Sequence, residues 1–271
     1  MVGLIRRVLG AIPLVLIVFL TLFPILWTFL SSFKTLRDIV TPVPKLFFTP
    51  TLANYAQVLA TPAVQAGLIN SATIVSSAVA IGMVFGIPAA HVLARYPIRR
   101  KADIQFFVLS LRFMPPVAIA IPFIALYLDL GVYDTRLSLV FTYSLITIST
   151  MIWLSIPAFE RVPREIEEAA LLEGYSPFQV FWKVALPVAM PSLFGAILFT
   201  FVIIWNELLI ALALTSQRVT LPVVAAAFTT LGFETPWGVI NASSILLAVP
   251  PLLFVGLLMQ FMNRFFARQA Y

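Results

Sequence analysis

The sequence predicts an all-α integral membrane protein with six transmembrane helices. Of its 271 residues, 61% are hydrophobic and only 10% are charged, and the mean hydropathy is +1.04. Soluble globular domains carry about 25% charged residues. The first uncharged run lies between Arg7 and Lys34, and it is longer than the ~20 residues that a helix needs to cross a bilayer. It lacks the short apolar core and cleavage site of a secretory signal, so we expect it to be retained.

Six segments are long and apolar enough to span a membrane. In chain order they cover residues 8–32, 66–93, 104–129, 138–158, 192–213 and 241–263. Several contain proline, which removes a backbone donor and crowds the preceding turn. We expect kinked helices in a bundle where neighbouring protein or a water-filled path satisfies the freed carbonyls. Kinks that only shape the packing are an equally open interpretation.

The basic residues are distributed unevenly between the two sides of the predicted bundle. The segments on the side of the N-terminus carry eleven of the 17 Lys and Arg residues, and the opposite segments carry five. Arg112 alone lies within a span. Because basic residues favour the cytoplasmic side of a membrane, we expect both termini in the cytoplasm. The net charge of +6 is therefore a topology signal and does not indicate nucleic-acid binding.

The composition also limits the chemistry that this chain can perform. Cysteine is absent and His91 is the only histidine, which excludes thiolate chemistry and histidine-based metal clusters. No GxxxxGK[ST] sequence occurs, so the chain has no P-loop with which to bind a nucleotide. We expect no catalytic residue, no bound cofactor and no metal site in this chain.

The charged stretch VPREIEEAALLEGYSPFQVFWKVALP, between the fourth and fifth spans, predicts two short helices. Pro163 suits the first position of a helix, and the glutamates that follow lie where the helix dipole favours anions. Gly174 is placed to end this helix in a left-handed conformation. In the second helix, Ser176 is the expected N-cap, Gln179 completes a capping box, and Pro187 is expected to stop the helix.

These two helices are expected to expose more apolar surface than a solvated linker should leave bare. The expected set is Ala169, Ala170, Leu171, Leu172, Phe178, Phe181 and Trp182. An amphipathic pair lying on the bilayer surface is the alternative. The acidic first helix argues against it, because surface-lying helices favour Lys and Arg toward anionic lipid. The pattern therefore favours a docking site for a separate protein.

The stretch resembles the EAA signature of the membrane-spanning subunits of binding-protein-dependent ABC importers. Glu168-Ala169-Ala170 is followed after three residues by Gly174 and, nine residues later, by Val184-Ala185-Leu186-Pro187, where the usual form has Ile at the position of Val184. Three further motifs, PTLANY, NSATIV and WNELLIALALT, are similar to carbohydrate-uptake permeases of the maltose-transporter type. Together they favour a sugar or polyol over amino acids or metals as the substrate.

The resemblance implies an ABC type I importer permease fold, with residues 1–271 as a single transmembrane domain. It also implies that residues from about 159 to 191, called the coupling segment below, insert into a cleft on a separate ATPase subunit. By resemblance, Glu168 pairs with a basic residue of that subunit, Gly174 permits the bend, and apolar residues fill the cleft. The expected coupling residues are Glu168, Ala169, Ala170, Gly174, Phe178, Leu186 and Pro187.

The resemblance also implies the rest of the assembly. We expect a second permease subunit, two ABC ATPase subunits that bind ATP and Mg²⁺, an external solute-binding protein and membrane lipid as partners. The expected location is the inner membrane of a prokaryotic cell. With no P-loop of its own, the chain would take its energy from the ATPase subunits.

Polar and aromatic residues in the spans are candidates for the translocation path or its gate. They are Arg112, Trp205, Asn206 and Glu207. An unpaired cation at the depth of Arg112 would cost at least about 2.5 kcal/mol, so its side chain must face protein or water. Pairing between helices, or a charged group that reaches for an interface, is an equally open interpretation.

The outer segment of residues 214–240 is a candidate docking site for the external binding protein. It carries Phe233 and Trp237 on a loop broken by Gly and Pro, and its family counterpart contacts that protein. A plain connector is the alternative, although loops longer than about 15 residues are usually functional or disordered.

Two other classes of protein fit the sequence less well. An ion-coupled secondary transporter would require ionisable relays and internal repeats, usually in a longer chain. An intramembrane enzyme would require a nucleophile with its base, or a metal cluster, and the chain lacks the residues for either. Copurification separates these classes, because an importer subunit should bring an ATPase and a second permease with it.

Overall fold

The computed structural model describes residues 2–230 and 235–269, with side chains described for residues 13–229 and 235–264. Within these ranges the regular secondary structure is entirely helical. The helices are α1 (Val2–Ser32), α2 (Leu36–Ile39), α3 (Ala53–Ala60), α4 (Pro62–Arg95), α5 (Lys101–Arg112), α6 (Pro116–Asp129), α7 (Arg136–Glu160), α8 (Arg164–Leu172), α9 (Pro177–Val180), a π-helical segment (Phe181–Ala185), α10 (Leu186–Trp205), α11 (Leu209–Leu214), α12 (Leu221–Ala227), a 3₁₀ turn (Phe228–Thr230) and α13 (Trp237–Gln269).

Five stretches of helix in the described chain are long and apolar enough to cross a membrane. They are Pro13–Ser32, Pro62–Arg95, Arg136–Glu160, Pro177–Trp205 and Trp237–Arg264. Helices α5 and α6 qualify together as a sixth span, but they are bent by 85° at the break between them. The all-helical class and the set of apolar spans are therefore confirmed.

The third and fifth spans differ from their predicted form. The kink expected in the third span is a full break between Arg112 and Pro116, where Pro115 and Pro116 supply no backbone donors and disfavour the helical conformation of the residue before each. The bounds 192–213 predicted for the fifth span are wrong. The helix instead runs from Pro177 to Trp205, breaks at Asn206, and resumes as α11.

The chain divides into two compact units, which are described separately. The larger comprises Ala66–Val223 and the chain from Pro250 onward, and α7 lies at its centre, packed against α5 and α10. Helix α4 approaches α7 closely through two glycines. A Cβ on Gly82 would lie 2.8 Å from Thr147 Cβ, and one on Gly86 would lie 2.8 Å from Met151 Cβ. Small residues at four-residue spacing let membrane helices pack with their backbones close together.

Contacts along α4 and α7 show that the two helices run in the same direction. Near their N-terminal ends, Arg136 donates from Nε to Asn70 Oδ1 at 2.8 Å. In their middle, Thr147 donates from Oγ1 to the carbonyl of Ala78 at 2.8 Å. At their C-terminal ends, Arg95, the last residue of α4, pairs with Glu167, which follows α7 by seven residues. Parallel helices begin on the same side of the bundle. The bent α5–α6 pair, which connects the end of α4 to the start of α7, must therefore bring the chain back to that side, and it counts as one crossing.

The smaller unit comprises the chain up to Gln65 together with Val224–Val249. Here the PTLANY motif caps the end of α1. Asn54 donates from Nδ2 to the carbonyls of Ser32 and Lys34 at 2.8 and 2.9 Å, and the Tyr55 hydroxyl lies 2.7 Å from Ser32 Oγ. Gly238 leaves room for the Asn54 amide, since a Cβ there would lie 2.6 Å from it. The motif therefore satisfies carbonyls that the helix end would leave unpaired.

Candidate functional site: the coupling segment and the polar positions of the spans

The first helix of the coupling segment forms as its sequence predicts, with its start displaced by one residue. Pro163 is the N-cap of α8 rather than its first residue, and Glu165 and Glu167 lie in the first turn. Gly174 has φ +91°, which L side chains rarely adopt. The amides of Gly174 and Tyr175 donate to the carbonyls of Leu171 and Ala170, both at 3.1 Å. This is a Schellman motif, and it confirms the left-handed end predicted at Gly174.

The second helix begins as predicted but does not end where predicted. Ser176 and Gln179 form the capping box: the Ser176 amide donates to Gln179 Oε1 at 2.9 Å, and the Gln179 amide donates to Ser176 Oγ at 3.3 Å. The expectation that Pro187 stops the helix is wrong. The chain continues through the π-helical segment into α10. A π-helical turn has wider hydrogen-bonded rings, which gives room for a proline that would otherwise crowd the carbonyl four residues before it, that of Lys183.

The turn between α8 and α9 carries exposed apolar side chains. Leu172 is 90% exposed and Phe178 71%, and Leu171, Tyr175 and Trp182 are also exposed. An apolar groove of about 550 Å³ lies beside them, between α9 and the C-terminal end of α4. Ala170 and Phe181, expected in the exposed set, are each only 6% exposed. They face the interior because α8 is amphipathic and the π-helical segment turns Phe181 toward His91, with ring centroids 5.1 Å apart.

The predicted coupling residues occupy two environments. Glu168 and Ala169 are exposed on α8, and Glu168 forms no ion pair with any residue that the structure describes. Leu186 and Pro187 are half-buried in the first turn of α10. The coupling roles assigned to these residues stay predictions.

A buried polar cluster at the same place is not part of the predicted set. Glu167 is 9% exposed, and its Oε1 accepts a hydrogen bond from Arg95 Nε at 2.7 Å. Its Oε2 lies 3.3 Å from His91 Nε2. Arg95 donates from a second nitrogen to the carbonyl of Val162. The sequence holds one signal for this cluster: His91 and Arg95 are four residues apart, on one face of α4.

Arg112 faces protein, as its depth in the span requires. Its guanidinium lies 5.5 Å from the ring centroid of Trp153 and 5.3 Å from that of Phe199, which places it between side chains of α7 and α10. Cation–π contacts of this kind contribute about 0.5–1 kcal/mol at exposed sites and more when they are desolvated. The residue ends α5, immediately before the break at the tandem prolines.

The other polar candidates lie at the break after α10. Glu207 caps α11: its carboxylate accepts the amides of Ile210 at 2.9 Å and Ala211 at 3.2 Å, and the hydroxyl of Tyr143 at 2.8 Å. Asn206 is exposed. Trp205 is buried, stacked 5.7 Å from Phe201. Glu207 and Arg112 therefore have different partners and do not pair with each other.

The loop after α11 is held in place by residues of the NSATIV motif and by Asp134. Asn70 donates to the carbonyl of Val219 at 2.9 Å, and Ser71 Oγ accepts the Leu221 amide at 2.8 Å. The Asp134 carboxylate accepts the backbone amides of residues 216–218 and the hydroxyl of Ser216. Desolvation raises the pKa of Asp134, but these hydrogen bonds together outweigh it and lower the pKa below its ordinary value.

The predicted docking residues can be followed only in part. Trp237 begins α13 and is 47% exposed, beside Arg37 and Thr235 in a groove of about 640 Å³. Phe233 lies outside the described residues. The docking role of Trp237 stays a prediction.

Comparison with known proteins identifies the family. The family model described as binding-protein-dependent transport system inner membrane component matches residues 82–270. The chain is 32% identical over 247 residues to the trehalose transport system permease protein SugB of Mycobacterium tuberculosis, covering 89% of this chain and 88% of that protein. It is 29% identical over 259 residues to the trehalose/maltose transport system permease protein MalG of Thermococcus litoralis, covering 94% and 92%.

The fold is also found among solved structures. A chain of a bacterial ABC transporter involved in the import of the acidic polysaccharide alginate matches with a TM-score of 0.76 at 21% identity, covering 95% of this chain and 96% of that one. At that identity the match establishes the fold. Because the family model spans well over half of the chain, this protein belongs to the family of inner membrane components of binding-protein-dependent transport systems.

Proposed function

We propose that this chain is the permease subunit of an ATP-driven importer for a sugar or polyol, and that the coupling segment receives the movement of a separate ATPase. The observation that carries this proposal is the exposed apolar turn between α8 and α9, where Leu172 and Phe178 project from the protein. Exposed apolar side chains on a rigid turn are the usual centre of a protein interface. The capping box and the Schellman motif fix the backbone of this turn, so that it can pass a movement of the ATPase to the rest of the chain.

Glu168 is proposed as the charged contact to the ATPase. It is exposed, and it stands next to the apolar side chains without an ion-pair partner among the described residues. Gly174 sets the angle between the two helices. Since this chain has no P-loop, ATP and Mg²⁺ would be bound by two ATPase subunits, and the chain itself would hold no cofactor.

The cytoplasmic position of the coupling segment, with both termini on the same side, is proposed from the charges. The side that carries residues 95–101 and the coupling segment holds eleven of the 17 basic residues. The pairing of Arg95 with Glu167 supports this, because it requires both segments to be on one side.

A second permease subunit is proposed from the surfaces of the spans. In the most apolar 18-residue windows, 67% of residues are buried in Arg136–Glu160, but 6% in Pro13–Ser32 and none in Trp237–Arg264. A path for a hydrophilic solute must be lined by protein on all sides, and one bundle centred on α7 supplies only part of such a wall. Arg112, Trp205, Asn206 and Glu207 are proposed for this path or its gate, and Trp237 with Phe233 for docking of the external binding protein.

The sugar class rests on the relatives. Two curated relatives that match nearly the whole chain are permeases of trehalose and of trehalose/maltose transport systems. Uptake of labelled disaccharides by cells that express the complete system, in competition with polyols and amino acids, tests this class. Competition by amino acids alone would contradict it.

The coupling role is tested by copurification and uptake with Glu168→Lys and Gly174→Asp. Both variants should reach the membrane, while uptake falls about tenfold or more, within the usual range of coupling between sites. Glu165→Lys is the matched control, because Glu165 is an exposed glutamate on the same helix. The wild-type chain should bring an ATPase and a second permease with it. The proposal would be refuted if the wild-type chain purified without an ATPase and a second permease, or if both variants showed normal uptake.

A further inference from the structure

Glu167 and Glu168 are neighbours in α8, but their side chains face opposite environments. Successive helix residues are about 100° apart around the axis, given 3.6 residues per turn. Glu168 is exposed, whereas Glu167 is 9% exposed and faces the inner end of α4. One helix thus presents a carboxylate outward and a second carboxylate toward a membrane span.

Both oxygens of Glu167 are engaged by α4. Oε1 accepts from Arg95 Nε at 2.7 Å, and Oε2 lies 3.3 Å from His91 Nε2. A carboxylate accepts hydrogen bonds, and a His91 tautomer with a proton on Nε2 can donate one to Oε2. Two donors from successive turns of one helix hold the carboxylate against both sliding and rotation.

Other contacts fix the two donors in turn. Arg95 also donates to the carbonyl of Val162, at the start of the coupling segment. The His91 ring is packed between Phe159 at the end of α7 and Phe181 in the π-helical segment, with both pairs of centroids 5.1 Å apart. Four segments, namely α4, the end of α7, α8 and the π-helical segment, are therefore joined through Glu167 and His91.

We infer that Glu167 is a positioning residue that passes movement of the coupling segment to α4, through its contacts with Arg95 and His91. The inference rests on the proposed function, in which an ATPase moves α8. Apolar contacts alone would let α8 slide over α4, because they are not directional. The ion pair is directional and shielded from solvent, and it connects α8 to the helix whose Gly82 and Gly86 pack directly on α7.

A purely stabilising role accounts less well for this cluster. Replacing a buried ion pair by apolar side chains of similar volume is often neutral or even stabilising, whereas removing one partner leaves an uncompensated buried charge. What such a pair supplies is a defined geometry. The measurable consequence is a change in transport per ATP hydrolysed, beyond any change in the amount of folded protein.

The test uses the complete transporter with Glu167→Gln, Arg95→Gln and the double variant. Glu167→Gln is nearly isosteric, so the complex should still assemble and hydrolyse ATP, while solute transported per ATP falls about tenfold. Because Glu167 and Arg95 act through each other, the double variant should be no worse than the poorer single variant. Glu165→Gln, the same change on the exposed face of α8, should keep the wild-type ratio.

A second measurement leaves Glu167, Arg95 and His91 intact. Since the chain lacks cysteine, spin labels can be placed at Glu165→Cys on α8 and Val84→Cys on α4, both exposed positions. In a complex with an intact Glu167, the distance between the labels should stay constant through the ATP cycle, because the two helices move together.

The outcomes separate this inference from the proposed function. A label distance that changes during the cycle, or a wild-type ratio of transport to hydrolysis in Glu167→Gln, overturns the inference while the proposed function stands. A wild-type chain that purifies without any ATPase refutes the proposed function itself. If Glu165→Gln also transports less solute per ATP hydrolysed than the wild type, the inference is overturned, since the effect would then not be specific to Glu167.

Discussion

At the scale of single residues, Asp134 holds the loop after α11 in place by accepting the backbone amides of residues 216–218. Its own backbone has φ 56°, a left-handed conformation that Asp tolerates better than most residues. The pKa of Asp134 lies below its ordinary value, because the hydrogen bonds outweigh the desolvation that would raise it. The charged form is therefore more favourable in the folded protein than in the unfolded chain.

The stabilising effect of Asp134 should depend on pH in a defined direction. A carboxyl with a lowered folded pKa contributes fully above its unfolded value of about 3.9, and the contribution is lost as the pH falls through the folded pKa. Asp134→Asn should lower stability at pH 6 by about 1 kcal/mol, a value discounted for solvent screening. The difference from the wild type should shrink below pH 4 in thermal unfolding of the purified complex.

Asp129→Asn is the matched control for this prediction. Asp129 is exposed at the end of α6, and no hydrogen bond or ion pair of its side chain is found among the described residues. The control should unfold like the wild type over the whole pH range. A difference between Asp134→Asn and the wild type that persists unchanged at pH 3 would contradict the linkage to the carboxylate.

Local chemistry made part of the coupling segment predictable from single residues. Gly174 and the pair of Ser176 and Gln179 each satisfy backbone groups within a few residues, so their patterns are complete in the sequence. The inward side of α8 was not predictable in this way. Glu167 differs from Glu168 only in which partner it meets, and that partner, Arg95, is 72 residues away.

At the scale of elements, the close approach of α4 and α7 should be intolerant of a single added methyl group. In Gly82→Ala the new Cβ would lie 2.8 Å from Thr147 Cβ and 2.9 Å from Thr147 Oγ1, so the two helices must move apart. Overpacking of this kind costs about 1–3 kcal/mol. The expected result is a lower midpoint of thermal unfolding and a lower yield of the assembled complex.

Gly256→Ala provides the comparison for Gly82→Ala. Gly256 also lies within a helix, α13, but a Cβ there meets no atom within 4 Å. Alanine has the higher helix propensity, so this variant should be neutral or slightly more stable. Equal destabilisation by both substitutions would show that loss of glycine, and not the contact with Thr147, is responsible.

The breaks within the spans show where a hydropathy pattern stops being informative. Apolar runs correctly indicate spans that include residues 104–129 and 192–205, but not that the first bends by 85° near Pro115 or that the second breaks at Asn206. Proline alone does not decide the outcome, because Pro187 lies inside a continuous run of helix. The tandem Pro250 and Pro251 also lie inside a continuous helix, α13, whereas the helix breaks at Pro115 and Pro116. The residue pattern therefore does not specify which prolines end a helix.

At the scale of the whole molecule, the parallel direction of α4 and α7 fixes the sidedness of the loops between them. The chain leaves α4 after Arg95 and enters α7 at Arg136, so residues 96–100 and 130–135 must lie on opposite sides. The coupling segment must lie on the side of residues 96–100, because Glu167 contacts Arg95. A re-entrant α5–α6 pair would put both loops on one side and is incompatible with these contacts.

Single cysteines can test this topology directly, because the natural chain contains none. Arg100→Cys and Leu172→Cys should react with a membrane-impermeant maleimide only from the cytoplasmic side, and Gly131→Cys only from the outside. All three positions are exposed in this chain, and labelling before the ATPase subunits are added leaves Leu172 uncovered, so failure to react would reflect sidedness rather than burial. The side of Arg100 is assigned to the cytoplasm because it carries the excess of basic residues. Labelling of Gly131→Cys and Leu172→Cys from the same side would mean that α7 does not cross the membrane, and the coupling segment could then not connect an ATPase to the bundle as proposed.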